Sequence, residues 1–234
     1  MIAVALLAAA ATISASAPTL IVSPGRVVLE DTARAEVHIT APRSSELVDV
    51  AVAPYTLDVR GRPRLRGATG APGWISVRPA RLRVGPKGSS VSVTAAPPRT
   101  APAGDRPFAL VFTTRPAHGK GVGVRLRIAV LVIAHVHGEI VRRLVIGPVV
   151  IRSDHLVQLT IRNAGNAVER LARGRLVVTL LRRGRVVVRL HPPPRMLLPH
   201  SRAVVVARLP RSLHGPATVR VSFGSFSHQY PLRL

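Results

Sequence analysis

The sequence predicts an all-β protein built of two tandem β-sandwiches. Hydrophobic residues recur at every second position in many short segments, and the longest alternation runs from Val122 to Val136. Because neighbouring side chains of a strand point to opposite faces, this period is typical of strands with one buried face. Proline- and glycine-rich segments separate the alternating segments, and no capped helical period follows the N-terminal residues. Many short strands joined in this way favour sandwiches of the immunoglobulin-like kind.

The boundary between the two sandwiches is expected at Gly138, where the longest alternation ends. We therefore expect one immunoglobulin-like sandwich over residues 18–138 and a second over residues 139–234, each close to the usual size of about 100 residues. In the first half, the segment from Gly61 to Pro72 predicts a long loop, and Trp74 predicts a residue of the core or its edge. In the second half, Asn163-Ala-Gly-Asn166 predicts a turn of residues that tolerate positive φ.

Residues 1–17 predict a signal peptide or an N-terminal membrane anchor. They carry no charged side chain, and an apolar run from Ile2 to Ala11 is followed by small residues up to Ala17. The run is shorter than the ~20 residues that span a bilayer. We therefore expect an exported protein at the cell surface, in the cell wall or outside the cell, with the leader either cleaved or retained.

The composition indicates a folded and strongly basic protein that contains no cysteine. Of 234 residues, 47% are hydrophobic, which is enough apolar surface for a packed core. The 34 Lys and Arg residues outnumber the 10 Asp and Glu residues, which gives a formal net charge of +24. Such a charge attracts polyanions, including wall polymers and anionic membrane surfaces. Arginine-rich coding in GC-rich genomes is the first explanation for individual arginines, but their summed charge acts whatever its origin.

Two clusters of arginine are candidate sites for contact with a polyanion, because flexible guanidinium groups pair well with phosphates. One cluster lies in the expected loop and the other at the tip of an expected hairpin. The residues of the two clusters are Arg60, Arg62, Arg64 and Arg66, and Arg182, Arg183 and Arg185.

The sequence contains no motif that predicts an enzyme. GxSxG, the phosphate-binding GxxxxGK[ST] motif, HExxH and a dinucleotide-binding GxGxxG after a strand are all missing. His135 and His137 would project from one side of a strand, but a zinc site needs three or four ligands and no third has sequence support. Aromatic residues make up only 3% of the chain, which argues against binding of single-stranded nucleic acid. We expect no catalytic residue, metal, cofactor or nucleic-acid partner.

The order of strands and turns from Gly73 to Gly138 resembles a known domain. A Trp-Ile-Ser-Val strand is followed by a Gly-Pro-Lys-Gly turn, a Pro-Ala-Gly-Asp loop and the long strand that ends at Gly138. This order resembles the N-terminal domain of the WxL-interacting proteins of Gram-positive surfaces and, more distantly, the first domain of periplasmic pilus chaperones. The first resemblance implies binding to peptidoglycan or a surface protein. The second implies that Arg26, with Arg125 or Arg127, holds the terminal carboxylate of a client.

Two functions remain open from the sequence. The first is an envelope-associated binding or structural module that contacts wall polymer, an anionic surface or a surface protein. The alternative is a chaperone-like assembly factor for surface or pilus-type subunits that acts by pairing strands, since exposed edge strands can accept a partner strand.

Overall fold

The computed structural model describes residues 19–30, 33–65, 72–115, 124–152, 155–172, 175–210, 215–224 and 226–233. Over these ranges the chain consists of strands joined by turns and irregular segments, which confirms the all-β prediction. In the same ranges, no helix has the length and apolar character needed to cross a membrane. The expected leader at residues 1–17 lies outside them.

The first sandwich contains ten strands that form two sheets. The strands are β1 (Ile21–Ser23), β2 (Arg26–Glu30), β3 (Arg34–Thr40), β4 (Glu46–Leu57), β5 (Pro63–Leu65), β6 (Ile75–Arg78), β7 (Arg81–Val84), β8 (Ser89–Ala95), β9 (Gly104–Thr114) and β10 (Arg127–Val136). One sheet has the order β1-β3-β8-β6, and the other has the order β2-β10-β9-β4-β5, with β7 also paired to β4. The alternating residues of both sheets meet in one core, in which Phe108 and Phe112 are fully buried and against which Trp74 packs.

The second sandwich contains nine strands and its own core. The strands are β11 (Leu144–Arg152), β12 (Leu156–Asn163), β13 (Glu169–Leu171), β14 (Leu176–Arg182), β15 (Arg185–Leu190), β16 (Arg195–Leu197), β17 (Arg202–Arg208), β18 (Pro216–Phe223) and β19 (Phe226–Arg233). The main sheets have the orders β11-β12-β17 and β15-β14-β18-β19, and β13 pairs with β16. Leu159, Ile161 and Leu180 are among the fully buried residues between the sheets. Gly138 lies in the segment between β10 and β11, while the independence of the two predicted domains stays a prediction.

The N-terminal strand changes sheet between β1 and β2. β1 pairs antiparallel with β3 in one sheet, and β2 pairs parallel with β10 in the facing sheet. Only Pro24 and Gly25 separate the two strands. Proline has no N–H to donate to a ladder, so Pro24 suits a position where pairing to one sheet stops and pairing to the other begins.

Three local expectations from the sequence differ from the structure. The long strand β10 starts at Arg127; residues 124–126 precede it without strand pairing, and Val122 lies outside the described residues. The segment expected as a loop from Gly61 onward contains the short strand β5, which pairs with β4, while residues 66–71 are not described. The short strands β13 and β16 were not expected, because three residues are too few to show an alternation.

Candidate functional site

One edge of β10 is only partly covered by a neighbouring strand. On one side, β10 pairs with β9 along its whole length, from Arg127 to Val136. On the other side, β2 pairs only with the stretch from Leu131 to His135. Among the described residues, no strand pairs with residues 127–130 on this second side. We refer to residues 127–130 of β10 as the open edge.

The direction of the backbone groups shows which of them the open edge presents. The N–H of Leu131 donates to the carbonyl oxygen of Gly25 at 3.2 Å, and so points toward β2. Backbone groups alternate sides along a strand, so those of Arg127 and Ala129 point the same way, while those of Ile128 and Val130 point toward β9. Arg127 and Ala129 therefore present two N–H and two C=O groups to an additional strand.

Apolar side chains lie beside the open edge on the core side of the sheet. Val130 is buried, and Ile128 is half-buried against the first core. In the facing sheet β1 is an edge strand, where the half-buried Val22 packs against the same core. Because only two residues separate β1 from β2, the edges of both sheets lie on the same side of the sandwich. An added strand would find backbone partners on β10 and apolar contacts between the sheets.

Arg26 marks the end of the open edge. It is the first residue of β2, is exposed, and lies opposite Leu131 of β10. Arg127 lies four residues before Leu131, which at about 3.3 Å per residue is about 13 Å along the strand, and Arg125 lies farther still. The structure therefore does not bring Arg26 together with Arg125 or Arg127 as the resemblance implies. These cations stand at opposite ends of the open edge, and their roles in binding stay predictions.

Asp105 joins the two sandwiches close to the far end of β10. The Nδ1 of His135 donates to Asp105 Oδ1 at 2.9 Å, within the first sandwich. The backbone N–H of Val168, in the second sandwich, donates to Asp105 Oδ2 at 2.5 Å. The N–H of Asp105 itself donates to the carbonyl oxygen of Asn166 at 2.8 Å. His135 thus has a structural carboxylate partner, and the described residues contain no group of three candidate metal ligands.

Asn166 ties the connecting segment to both sandwiches. Its Oδ1 accepts from the N–H of Val141 at 2.7 Å, and its Nδ2 donates to the carbonyl oxygens of Ala103 at 3.2 Å and Glu139 at 2.8 Å. The residues from Asn163 to Asn166 end β12 and enter the expected turn, and they do so without adopting positive φ. Glycine is required at position 165 for another reason: a Cβ there would collide with the backbone of Val141.

An apolar cluster completes the contact between the sandwiches. Leu198 of the second sandwich packs against Ala53, Tyr55, Ala109 and Val111 on the outer face of β4 and β9. Burial raises the pKa of Tyr55 to about 12, so this side chain stays neutral in the contact. Packing and hydrogen bonds together hold the second sandwich against the sheet that carries the open edge.

The first arginine cluster is organised by Asp58. The Asp58 carboxylate accepts backbone N–H groups from Arg60 and Arg62 at 2.9 Å each, and it forms ion pairs with Arg62 at 2.8 Å and Arg64 at 3.8 Å. The carbonyl oxygen of Arg60 accepts from the guanidinium of Arg195 in the second sandwich. These arginines are exposed but bound to a local structure, and Arg66 lies outside the described residues.

The second arginine cluster lies at the tip of the hairpin formed by β14 and β15, as expected. Arg182 and Arg185 are paired across the hairpin, Arg183 lies in its turn, and all three are exposed. The hairpin and the open edge belong to different sandwiches, so the structure does not gather the predicted binding residues into one site. Their role in binding stays a prediction.

Comparison with known proteins gives a match in fold. No protein-family model matches the sequence, and no curated protein matches it in sequence. The class 5 fimbriae chaperone CfaA is 10% identical with a TM-score of 0.55, over 92% of this chain and 100% of that chain. A chain from the chaperone–tip adhesin complex of CFA/I fimbriae biogenesis is 10% identical with a TM-score of 0.55, over 91% of this chain and 98% of that chain.

These structures show the fold class. The chain has the fold of fimbrial chaperones, two immunoglobulin-like sandwiches in tandem, as the sequence predicted. The resemblance to pilus chaperones is thus supported at the level of the fold. The expectations that rest on the WxL-interacting proteins, namely Gram-positive origin and peptidoglycan binding, receive no support from these structures.

The hydrogen bonds around Asp58 predict a specific dependence of stability on pH. Backbone and side-chain donors, first among them Arg62, lower the pKa of Asp58 from 3.8 to about 2. A carboxyl group with a lowered pKa stabilises the fold above its ordinary pKa, and this contribution disappears as the pH falls through the folded value. We expect D58N to lower the free energy of unfolding by a constant amount at neutral pH, and by progressively less from about pH 4 to about pH 2.

Urea unfolding of both proteins across this pH range measures the difference. E36Q is the control, since Glu36 forms one exposed ion pair with Arg34 at 3.6 Å. A difference between wild type and D58N that stays constant down to pH 2 would contradict the assignment.

Proposed function

We propose that this chain is a chaperone-like assembly factor that binds a client protein by adding a client strand to the open edge of β10. The observation that carries the proposal is the half-covered β10 strand, with the backbone groups of Arg127 and Ala129 pointing away from β9. An exposed strand edge is a template for pairing with another chain. The fold of fimbrial chaperones supports a surface or pilus-type subunit as the class of client.

The client strand would complete the sandwich edge in two ways. Its backbone would pair with Arg127 and Ala129, which gives affinity without dependence on client sequence. Its alternate side chains would cover Ile128 and the half-buried Val22 on the core side. The client must therefore offer an extended segment in which apolar residues recur at every second position. Binding would at the same time shield that segment from aggregation.

Arg26 would recognise the end of the client strand. Beyond Ala129, the N–H of Leu131 is already bonded to Gly25, so an added strand has to stop where β2 begins. The exposed guanidinium of Arg26 stands at this position. Guanidinium groups pair with carboxylates through two parallel hydrogen bonds. A client whose C-terminus ends at this point would form this ion pair with its terminal carboxylate.

This function requires binding and no catalysis, so we propose that the chain is not an enzyme. Assembly of surface subunits also requires export, for which residues 1–17 offer a leader. The leader and the fold of fimbrial chaperones together support an exported protein.

Replacing Ala129 with proline should block the open edge while leaving the fold intact. Proline removes the Ala129 N–H, which points away from β9, so the ladder between β9 and β10 keeps its hydrogen bonds. We expect the A129P variant to bind a short strand peptide of alternating valine and threonine about tenfold more weakly than the wild type. Fluorescence anisotropy of the labelled peptide measures the affinity.

The matched control is A129V, which keeps the N–H and favours the strand conformation. It should bind the peptide as the wild type does. Circular dichroism and thermal unfolding establish that both variants keep the fold. Equal affinity of folded A129P and A129V for the peptide would contradict strand addition at the open edge.

Removing Arg26 should abolish discrimination between client termini. We expect the wild type to bind the same peptide with a free C-terminal carboxylate about tenfold more tightly than the peptide with a C-terminal amide. R26A should bind both forms equally, because no cation remains at the end of the open edge. R43A, which removes an exposed arginine elsewhere in the first sandwich, is the control. A preference for the free carboxylate that persists in R26A would overturn the role of Arg26 while leaving strand addition standing.

A further inference from the structure

The hairpin of β14 and β15 ends in a two-residue turn. Arg183 and Gly184 connect the two strands, and both adopt positive φ, at 49° and 78°. A two-residue turn with positive φ at both positions matches the twist of antiparallel strands. The residues that flank the turn therefore lie together at the end of the sheet.

The tip carries three arginines without a carboxylate partner in the described part of the chain. Arg182, Arg183 and Arg185 are all exposed, and no described Asp or Glu forms an ion pair with them. Some exposed arginines elsewhere do have such a partner: Arg81 and Arg115 bind Asp49 at 2.7 and 2.6 Å. The three side chains line a shallow groove of about 820 Å³. Their charge is thus available to an external anion.

Two apolar side chains stand beside these charges. Val186 is 48% exposed and Val187 is 41% exposed. A register shift at Leu180 and Leu181 leaves Val187 outside the regular pairing with β14. The shift explains why two consecutive valines of one strand are both exposed. β15 is also an edge strand, so no described strand lies beyond them.

We propose that this hairpin tip docks the protein on a membrane surface that carries anionic phosphate headgroups. The guanidinium groups of Arg182, Arg183 and Arg185 would pair with headgroup phosphates, for which their fork geometry is suited. Val186 and Val187 would enter the boundary between headgroups and acyl chains, as apolar residues of interfacial elements do. The valines favour a bilayer over a soluble polyanion, which would leave them in water.

The position of the tip keeps this contact separate from the open edge of β10. β14 begins beside Arg175, which lines a cavity together with Asp105 and His135 of the first sandwich. The seven residues of the strand, from Leu176 to Arg182, then span about 20 Å. Docking through the tip would hold the protein at the envelope while the first sandwich points away from the membrane. The inference is thus independent of the proposed strand pairing.

Sedimentation with vesicles tests the docking site directly. Phosphatidylcholine vesicles with and without phosphatidylglycerol are mixed with the full chain and with the chain from Thr19 onward, which carries every described strand. The hairpin variant is R182Q/R183N/R185Q, in which Asn at position 183 tolerates positive φ. The control, R43Q/R83Q/R99Q, removes the same charge from exposed positions of the first sandwich.

We expect the hairpin variant to lose about a hundredfold in affinity for vesicles with phosphatidylglycerol, because each of the three removed cations contributes to the attraction by the anionic surface. The control variant should lose much less affinity for the same vesicles.

V186S/V187S should weaken vesicle binding without changing the binding of soluble polyphosphate. Equal losses in the hairpin and control variants would overturn the docking site in favour of diffuse attraction by net charge. Unchanged vesicle binding by V186S/V187S would overturn the membrane as the partner.

Discussion

Strand addition to this protein depends on the length of β10 that β2 covers. The N-terminal strand leaves one sheet at Pro24 and joins the other at Arg26, and from there it pairs with β10 only as far back as Leu131. If β2 began four residues earlier in the register, the backbone groups of Arg127 and Ala129 would be bonded and no edge would be open. The same change of sheet also places Arg26 at the end of the open edge. One local break in pairing thus determines where a partner strand can start and stop.

The second sandwich limits which part of the sheet that carries the open edge a partner can reach. Asp105 and Asn166 hold the two sandwiches together through three hydrogen bonds that cross from one sandwich to the other, at 2.5 to 3.2 Å. Leu198 then covers the outer face of β4 and β9. A partner strand that approached this outer face would meet the second sandwich, whereas one that approached the edge of β10 would not. The fixed contact therefore favours pairing along the edge over packing on the face.

The sequence predicted much of the fold because alternation is a local signal. Strands such as β8 and β9 show it within a few residues, whereas the domain boundary at Gly138 stays a prediction. The open edge was not predictable in this way, since strand order depends on contacts between distant residues such as Leu131 and Gly25. One signal was present: positions 125 and 127 are arginines, whereas positions 129, 131 and 133 are apolar. The roles of Asp105, Asn166 and Gly165 arise from contacts across the two sandwiches, which spacing along the chain does not reveal.

Amide hydrogen exchange along β10, followed residue by residue with NMR, tests the central claim most directly. In the free protein, the amides of Arg127 and Ala129 should exchange rapidly, while those of Ile128, Val130 and Leu131 should be protected by bonds to β9 and Gly25. Binding of a strand peptide should then protect Arg127 and Ala129. Protection of both amides in the free protein, equal to that of Leu131, would show that the edge is already paired and would contradict the account.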